Sequence, residues 1–331
     1  MAAERSVRST VHRLLHGIPA PAPSAILALG PLRRRLKEEL LAREDRHLRE
    51  IHAAWARDHA AARVDLAALA DRLLEAHRGQ VWERAARGSA VERVGAAVDR
   101  RLFRQGQEQM DDPAVDPQVR VRILSDLARV NDLIGSYLSL WSTAAPFLGP
   151  GPTEVLDVAS GHGGLALWLL RQGPARGLDL RVTATDLRDD YLAQARTQAA
   201  RAGLPLRTRV LDALAMDLEP RSVDVVTCTQ AIHHFTPGQV AVLLAEGRRV
   251  ARRAVVFTDG LRSTRQLGLA CALFVGMGSH PASVHDCAVS VRRMFVPEEL
   301  DLLAALVPGG PGARALYVAP AFVGVVAPVV A

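Results

Sequence analysis

The sequence predicts an α/β protein: a doubly wound sheet, mostly parallel, finished by a C-terminal antiparallel hairpin and preceded by an all-helical N-terminal region. Three observations carry this. After the Gly149-Pro150-Gly151-Pro152 break, short apolar runs alternate with helical stretches, the rhythm of right-handed crossovers and a parallel sheet covered on both faces. Only Pro320-Ala321 separates the last two apolar runs, residues 313–319 and 322–330, and so short a join permits only an antiparallel pair. Before residue 110, apolar residues recur at three-, four- and seven-residue steps with Arg and Glu between them, as amphipathic helices require.

Along the chain, Pro19, Pro21 and Pro23 among alanines make residues 1–30 a flexible leader. Leu36, Leu40, Leu41, Leu48, Ile51 and Trp55 then mark a first helix; Leu66, Leu69, Leu73, Leu74 and His77 mark a second; Val91, Val94, Val98 and Leu102 mark a third. Breaks are expected at Gly79 and at Gly88-Ser89. Residues 31–109 thus form a helical region. His47, His52 and His59 lie in it at spacings of five and seven, which do not put a metal pair on one helix face. A helical lead-in over 110–150, with one helix across 118–145, precedes the α/β core at 151–331. Strands are expected over 154–158, 180–185, 206–211, 223–229 and 254–258. Helices are expected over 164–172, 188–202, 237–251, from 262 onward, and over 297–307, with 278–294 an insertion loop before the last helix.

Composition bounds the function. With 331 residues, 49 % apolar content, 23 % charge and a mean hydropathy of +0.08, disorder as the main state is excluded. No run approaches the ~18 apolar residues that span a bilayer, and residues 18–30, proline-punctuated and followed by Arg33-Arg34-Arg35, make a poor secretory signal. A cytoplasmic protein without a membrane span is expected. Residues 1–109 hold 20 basic and 14 acidic residues and the remainder 21 of each, so the whole net charge of +6 lies in the first third. Forty arginines against one lysine point to coding bias, and the acids interleaved among them to solvated helix faces laced with local pairs. Nucleic acid is therefore not an expected partner. Cys228, Cys271 and Cys287 are odd in number and widely separated, free thiols of a reducing compartment.

The first strand ends in EVLDVASGHGG, residues 154–164. In doubly wound sheets, ligands bind beyond the carboxyl ends of the strands. Gly161 and Gly163 let the backbone approach a ligand closely. Asp157, at the strand tip, repels a pyrophosphate and suits a cation such as an α-ammonium or a sulfonium. Gly161-x-Gly163-x-x-Ala166 also fits the dinucleotide fingerprint loosely, and glycines of a tight βα turn are the plain alternative. Asp186 closes the second strand, where an acid can accept both hydroxyls of a ribose. Asp212 closes the third, where a carboxylate beside a backbone N–H can read the amino edge of an adenine. Each alone has a capping or turn role as its alternative; three acids at three successive strand tips are harder to dismiss.

Residues 150–331 resemble a class I S-adenosylmethionine-dependent methyltransferase domain of Rossmann-like fold, through LDVASGHGG (156–164), TDLRDDYLAQA (185–195), LDALAMDL (211–218) and VDVVTCTQAIHHF (223–235). The stretch from Met110 through Asn131 and Gly135, with SVHDCAVSVRRMFVPEEL (283–300), is similar to bacterial small-molecule methyltransferases found beside type III polyketide synthases. The resemblance covers about two-thirds of the chain; residues 1–109 have no counterpart. It implies that Asp157, Ala159 and Gly161 surround the methionine part of the cofactor. It further implies that Asp186 takes the ribose, with Leu187 against the adenine face, that Asp212 and Ala213 read the adenine edge, and that Thr229 and Gln230 close the site. Ala159, where the commonest pattern has glycine, and His162, often a small hydroxyl residue, depart from the family.

The reaction so implied is in-line methyl transfer to a small aromatic or polyketide-type acceptor, with removal of a phenolic proton. His233 and His234, just after the fourth strand, are the leading bases, with packing of the strand-to-helix turn as the alternative role; His285, beside Asp286, is a further candidate. No compact cluster of acids or histidines stands out, so no metal is expected. The alternatives carried alongside are an RNA methyltransferase using the Arg-rich helices and an NAD-dependent oxidoreductase. The N-terminal helices are a candidate homodimer surface.

Overall fold

Three helices open the computed structural model, which describes residues 27–112, 114–149, 151–309, 312–318 and 321–329. They are α1 (Gly30–Arg57), α2 (His59–Ala86) and α3 (Ala90–Leu102). The expected leader lies outside the described residues as far as residue 26. The first break is set by Asp58, whose carboxylate accepts from the backbone N–H groups of Ala60 and Ala61. Gly79, expected to interrupt the pattern, lies inside α2. The buried stripe Leu66, Leu69, Leu73, Leu74, His77 and Val81 runs past it and outweighs the ~1 kcal/mol that a mid-helix glycine costs. The break at Ser89 does occur, with Ser89 and Glu92 capping each other reciprocally.

The helix expected over 118–145 is two helices, α4 (Pro117–Ile134) and α5 (Ser136–Ala144). Gly135 between them adopts φ +71°, a left-handed conformation that ends a helix and that other residues rarely take. The alternating region follows as β1 (Thr153–Asp157), α6 (Gly164–Gln172), β2 (Leu180–Asp186), α7 (Asp189–Ala202), β3 (Arg207–Val210), β4 (Val223–Thr229), α8 (Pro237–Val250) and β5 (Ala251–Gly260). After these come α9 (Thr264–Gly276), α10 (Pro281–Arg293), α11 (Pro297–Ala305), β6 (Arg314–Val318) and β7 (Phe322–Pro328). The insertion expected as a loop is thus mostly α10, started by the His280 ring accepting from the Ala282 N–H, with Pro281 next.

The seven strands lie in the order β3-β2-β1-β4-β5-β7-β6. The first five are parallel, and β7 pairs antiparallel with both β5 and β6. Crossovers diverge between β1 and β4, the switch point at which such sheets bind ligands. Alternate strand residues feed opposite faces. Val155, Val225, Ala254 and Val256 pack under α5, α6 and α7, whereas Leu156, Val226, Val255 and Phe257 share one core with α8, α11 and the N-terminal helices. The N-terminal helices thereby help to cover one face of the sheet.

A buried ionic network fastens that contact. Arg262, at the end of β5's continuation, donates to Glu299 at 2.7 Å and to Asp99 at 3.2 Å, while Arg78 grips Glu299 with two hydrogen bonds and Arg33 meets Asp99 at 2.6 Å. Trp82 Nε1 also donates to Asp99, and the Arg78 guanidinium lies 4.1 Å from the Phe103 ring centre. Outside this network Arg46 pairs with Glu50 within α1, Arg87 with Glu83 at the end of α2 and Arg72 with Glu44 between the two helices, whereas Arg34 and Arg63 reach Glu298 of α11 and Glu246 of α8. No described helix is long and apolar enough to cross a membrane.

Candidate active site

A cleft of about 600 Å³ opens over the carboxyl ends of the parallel strands. Asp157, Asp186 and Asp212 all line it, with Ala159, Gly161, Leu187, Ala213, Thr229 and Gln230. Tertiary contacts hold the glycine-bearing turn after β1 open. The Ser160 N–H donates to the Thr185 carbonyl, and the Gly161 N–H donates to Asp186 Oδ2 at 2.9 Å. Gly163 has φ +78°, and a Cβ there would stand 2.8 Å from that of Ala195, so no other residue fits between turn and α7. Ala159 sits at φ +49° and Gln230 at φ +55°. Both are left-handed backbones, a conformation that glycine takes more readily than other residues.

Asp157 is 1 % exposed. Thr227 Oγ1 donates to its Oδ1 at 3.0 Å, and Oδ2 has no partner. Burial, with the nearby Asp186 charge, pushes its pKa up to about 7 against the Thr227 hydrogen bond. The carboxyl is poised to ionise when a cation arrives. Ser160 Oγ, His162 Nε2 and Gln230 Nε2 are likewise buried without partners and line the same cleft. Asp186 already accepts from Gly161 and Arg188 through one oxygen each, and a lone pair stays on each oxygen. Asp212 is exposed, with Oδ1 accepting from the Leu214 N–H. Leu187, 67 % exposed, offers the apolar surface that an aromatic base would cover.

The other end of the cleft is roofed by α4, α9 and α10, with Ile123, Leu124, Leu127, Phe274 and Met294 as apolar walls. At its floor is a polar cluster. His233, 5 % exposed, has Nδ1 2.8 Å from Asp259 Oδ2, which also accepts from the His233 N–H. His234 has Nδ1 3.2 Å from Asp111, and the two rings are 4.4 Å apart. Glu108 faces both, 3.6 Å from His233 Nε2 and 3.8 Å from His234 Nε2. Burial opposes the imidazolium of His234, but the Asp111 hydrogen bond and the Glu108 and Asp111 charges overcome it and raise its pKa.

Residues 155–254 match the family model described as a methyltransferase domain. This segment is similar to a methyltransferase domain. A demethylmenaquinone methyltransferase of Thermus thermophilus is 31 % identical over 140 residues, 39 % of this chain and 62 % of that relative. Another, of Deinococcus radiodurans, is 31 % identical over 120 residues, 34 % of this chain and 48 % of the relative. The chain thus spans about three-fifths and about half of the length of these relatives. Among solved structures, a SAM-dependent methyltransferase from Aquifex aeolicus is 20 % identical, with a TM-score of 0.42, covering 59 % of this chain and 93 % of that one. The cleft offers a buried carboxyl with one unpartnered oxygen, a second acid with free lone pairs, and an exposed leucine at the turn, a set that fits the S-adenosylmethionine implied by the sequence resemblance.

Ten cofactor candidates were read from sequence; nine line the cleft, and Gly163 shapes the turn behind it. His233 and His234 are in the cleft, whereas His285 is not: its side chain is 49 % exposed and bonds Asp286 at 3.0 Å. The absence of a compact metal-ligating set in the sequence is corrected by the fold, which brings Glu108 within 4.8 Å of both histidines. Asp259 was missed although it obeys the strand-tip rule, because β5 was expected to end at Thr258. Glu108 and Asp111 gave no local signal.

Proposed function

We propose that this chain transfers the methyl group of S-adenosylmethionine to the hydroxyl oxygen of a small aromatic or polyketide-type acceptor. The observation that carries the reading is the buried Asp157 carboxyl with an unpartnered Oδ2, in a cleft it shares with Asp186 and Asp212. In this reading Asp157, Ala159 and Gly161 hold the methionine end, Asp186 takes the ribose hydroxyls, Leu187 covers the adenine face, Asp212 and Ala213 read its edge, and Thr229 and Gln230 close the site. When bound, the cofactor supplies an already activated methyl group. The chain's own contribution is alignment of the acceptor by the apolar roof, exclusion of water, and a place for the acceptor's proton. His233 is the group for that proton: Asp259 holds its Nδ1–H, and Nε2 faces the cleft. The same acidic rim disfavours the pyrophosphate of a dinucleotide.

Calorimetric titration of the folded chain with S-adenosylhomocysteine is expected to give micromolar binding, about −8 kcal/mol; no binding would overturn the reading. Asp186→Ala should weaken it by roughly 100-fold through loss of charge-assisted hydrogen bonds, and unchanged affinity would remove the ribose assignment. Affinity for S-adenosylmethionine should rise between pH 6 and pH 8. The cation selects ionised Asp157, whose pKa is about 7, so affinity falls by up to about tenfold per pH unit below that value. The free protein carries the opposite dependence. Its raised carboxyl favours folding at low pH, and that contribution is lost as pH rises through about 7. Titration in buffers of different ionisation enthalpy should report proton release on binding, and a pH-independent affinity would contradict this account of Asp157.

A further inference from the structure

We propose that Glu108, His233 and His234 form a binding site for one divalent transition-metal ion of the zinc type, with an open coordination position facing the cleft. One ligand atom from each residue lies within 4.8 Å of the other two. The two imidazole Nε2 atoms stand 3.6 and 3.8 Å from the Glu108 oxygens, beyond the ~2.7–3.2 Å of an N–H···O hydrogen bond. Ligand atoms each ~2.1 Å from one tetrahedral ion are ~3.4 Å apart. The two rings thus face different oxygens of one carboxylate, too far for hydrogen bonds and a little wider than a coordination shell.

The surroundings are built to match. Nδ1 of His233 is held by Asp259 and Nδ1 of His234 by Asp111. A proton on each Nδ1 leaves the Nε2 lone pair directed at Glu108, the carboxylate–imidazole arrangement that orients metal-bound histidines. Glu108 is fixed from the other side. Ser290 donates to its Oε1 at 2.7 Å, and Asp286 accepts from the N–H groups of Gln109 and Met110. Glu108, Asp111 and Asp259 bring three negative charges, and Arg293, 3.9 Å from Glu108, returns one positive; with neutral imidazoles the cluster carries a net −2, which a divalent ion neutralises. Two imidazoles and one carboxylate select zinc, cobalt or iron over magnesium and calcium. Three protein ligands with a fourth position open to a cleft is the pattern of a catalytic site. Only the further step rests on the methyl-transfer reading: the open position would then meet the acceptor's oxygen and acidify its hydroxyl, the proton passing to water at the mouth of the cleft, and His233 would serve as a ligand in place of the proton acceptor assigned above.

The full chain, stripped with a chelator and dialysed into metal-free buffer, is titrated with Zn²⁺ by calorimetry and with Co²⁺ by visible absorption. The expected result is one ion per chain with the ligand-field spectrum of a four-coordinate site, weakened at least tenfold in Glu108→Gln and in His234→Gln. Circular dichroism and S-adenosylhomocysteine binding serve as checks on folding. No stoichiometric uptake by the folded chain, or uptake that neither substitution weakens, would overturn the site. Metal uptake without any S-adenosylhomocysteine binding would instead leave the site standing and remove the methyl-transfer reading.

Discussion

Glu299→Gln is expected to destabilise the fold by about 3–5 kcal/mol, the cost of removing one partner from a buried ion pair. Glu299 is 1 % exposed and Arg262 0 %, and the carboxylate accepts from both Arg262 and Arg78. Glutamine keeps the shape but leaves two guanidinium groups facing a neutral amide, with Asp99 as the only acid of the network. Because Glu299 ties α2 and Arg262, just past β5, to α11, the loss falls on the contact between the N-terminal helices and the sheet. Urea unfolding should show a lower midpoint, and a change below about 1 kcal/mol would mean that the network carries little of that contact. Burial opposes the ionised forms of Glu299 and Asp99, but the facing arginines overcome it, lowering the carboxyl pKa well below the ordinary value in Glu299 and lowering it in Asp99. The sign follows: both carboxylates contribute stability above their unfolded pKa values of about 4, and that stability is lost as pH falls through the depressed folded values. Acid unfolding is expected below pH ~4 in the native chain, and Glu299→Gln should flatten that acid limb.

The strand-tip acids were legible because a parallel sheet has one ligand-bearing end, and an apolar strand that stops at an aspartate marks it. Asp259 obeys the same logic but was hidden by the strand's length. Pairing of Asp259 with Val323 and of Gly260 with Phe322 carries β5 past Thr258, and sequence periodicity does not see a partner strand. Gly79 is expected from sequence to break a helix and Gly135 to lie within one, and the structure has the reverse. The difference lies in packing: a buried stripe bridges Gly79, whereas at Gly135 the chain turns to lay α5 on the sheet face opposite the N-terminal helices. His285 and Asp286 are neighbours in sequence, yet on a helix adjacent side chains diverge by about 100°, so α10 sends Asp286 inward to the Gln109 and Met110 amides and leaves His285 half exposed. Glu108 was beyond sequence reasoning altogether, since its place opposite the two histidines is set by hydrogen bonds from α10.

His233→Ala should lower turnover on the accepted substrate by roughly 10²–10⁴-fold while leaving the dissociation constant for S-adenosylhomocysteine within about twofold. The argument is positional. In the proposed reading the cofactor is held by the turns after β1, β2 and β3 and by Thr229 and Gln230 at the tip of β4, whereas His233 faces the acceptor, its ring fixed by Asp259 and facing Glu108. Its removal therefore acts on the reacting oxygen and not on the adenosyl group. His285→Ala, outside the cleft, should change turnover by less than about twofold. A loss for His233→Ala that appears in cofactor affinity instead would make the ring a wall of the cofactor site, and turnover preserved to within tenfold would shift the proton to His234. The rate loss alone does not say whether the imidazole accepts the proton or holds an ion that promotes its departure. Comparing the chelator-stripped native chain with the zinc-loaded one separates these roles: full activity without metal assigns the proton to the imidazole, and activity restored only by the ion assigns the ring to coordination.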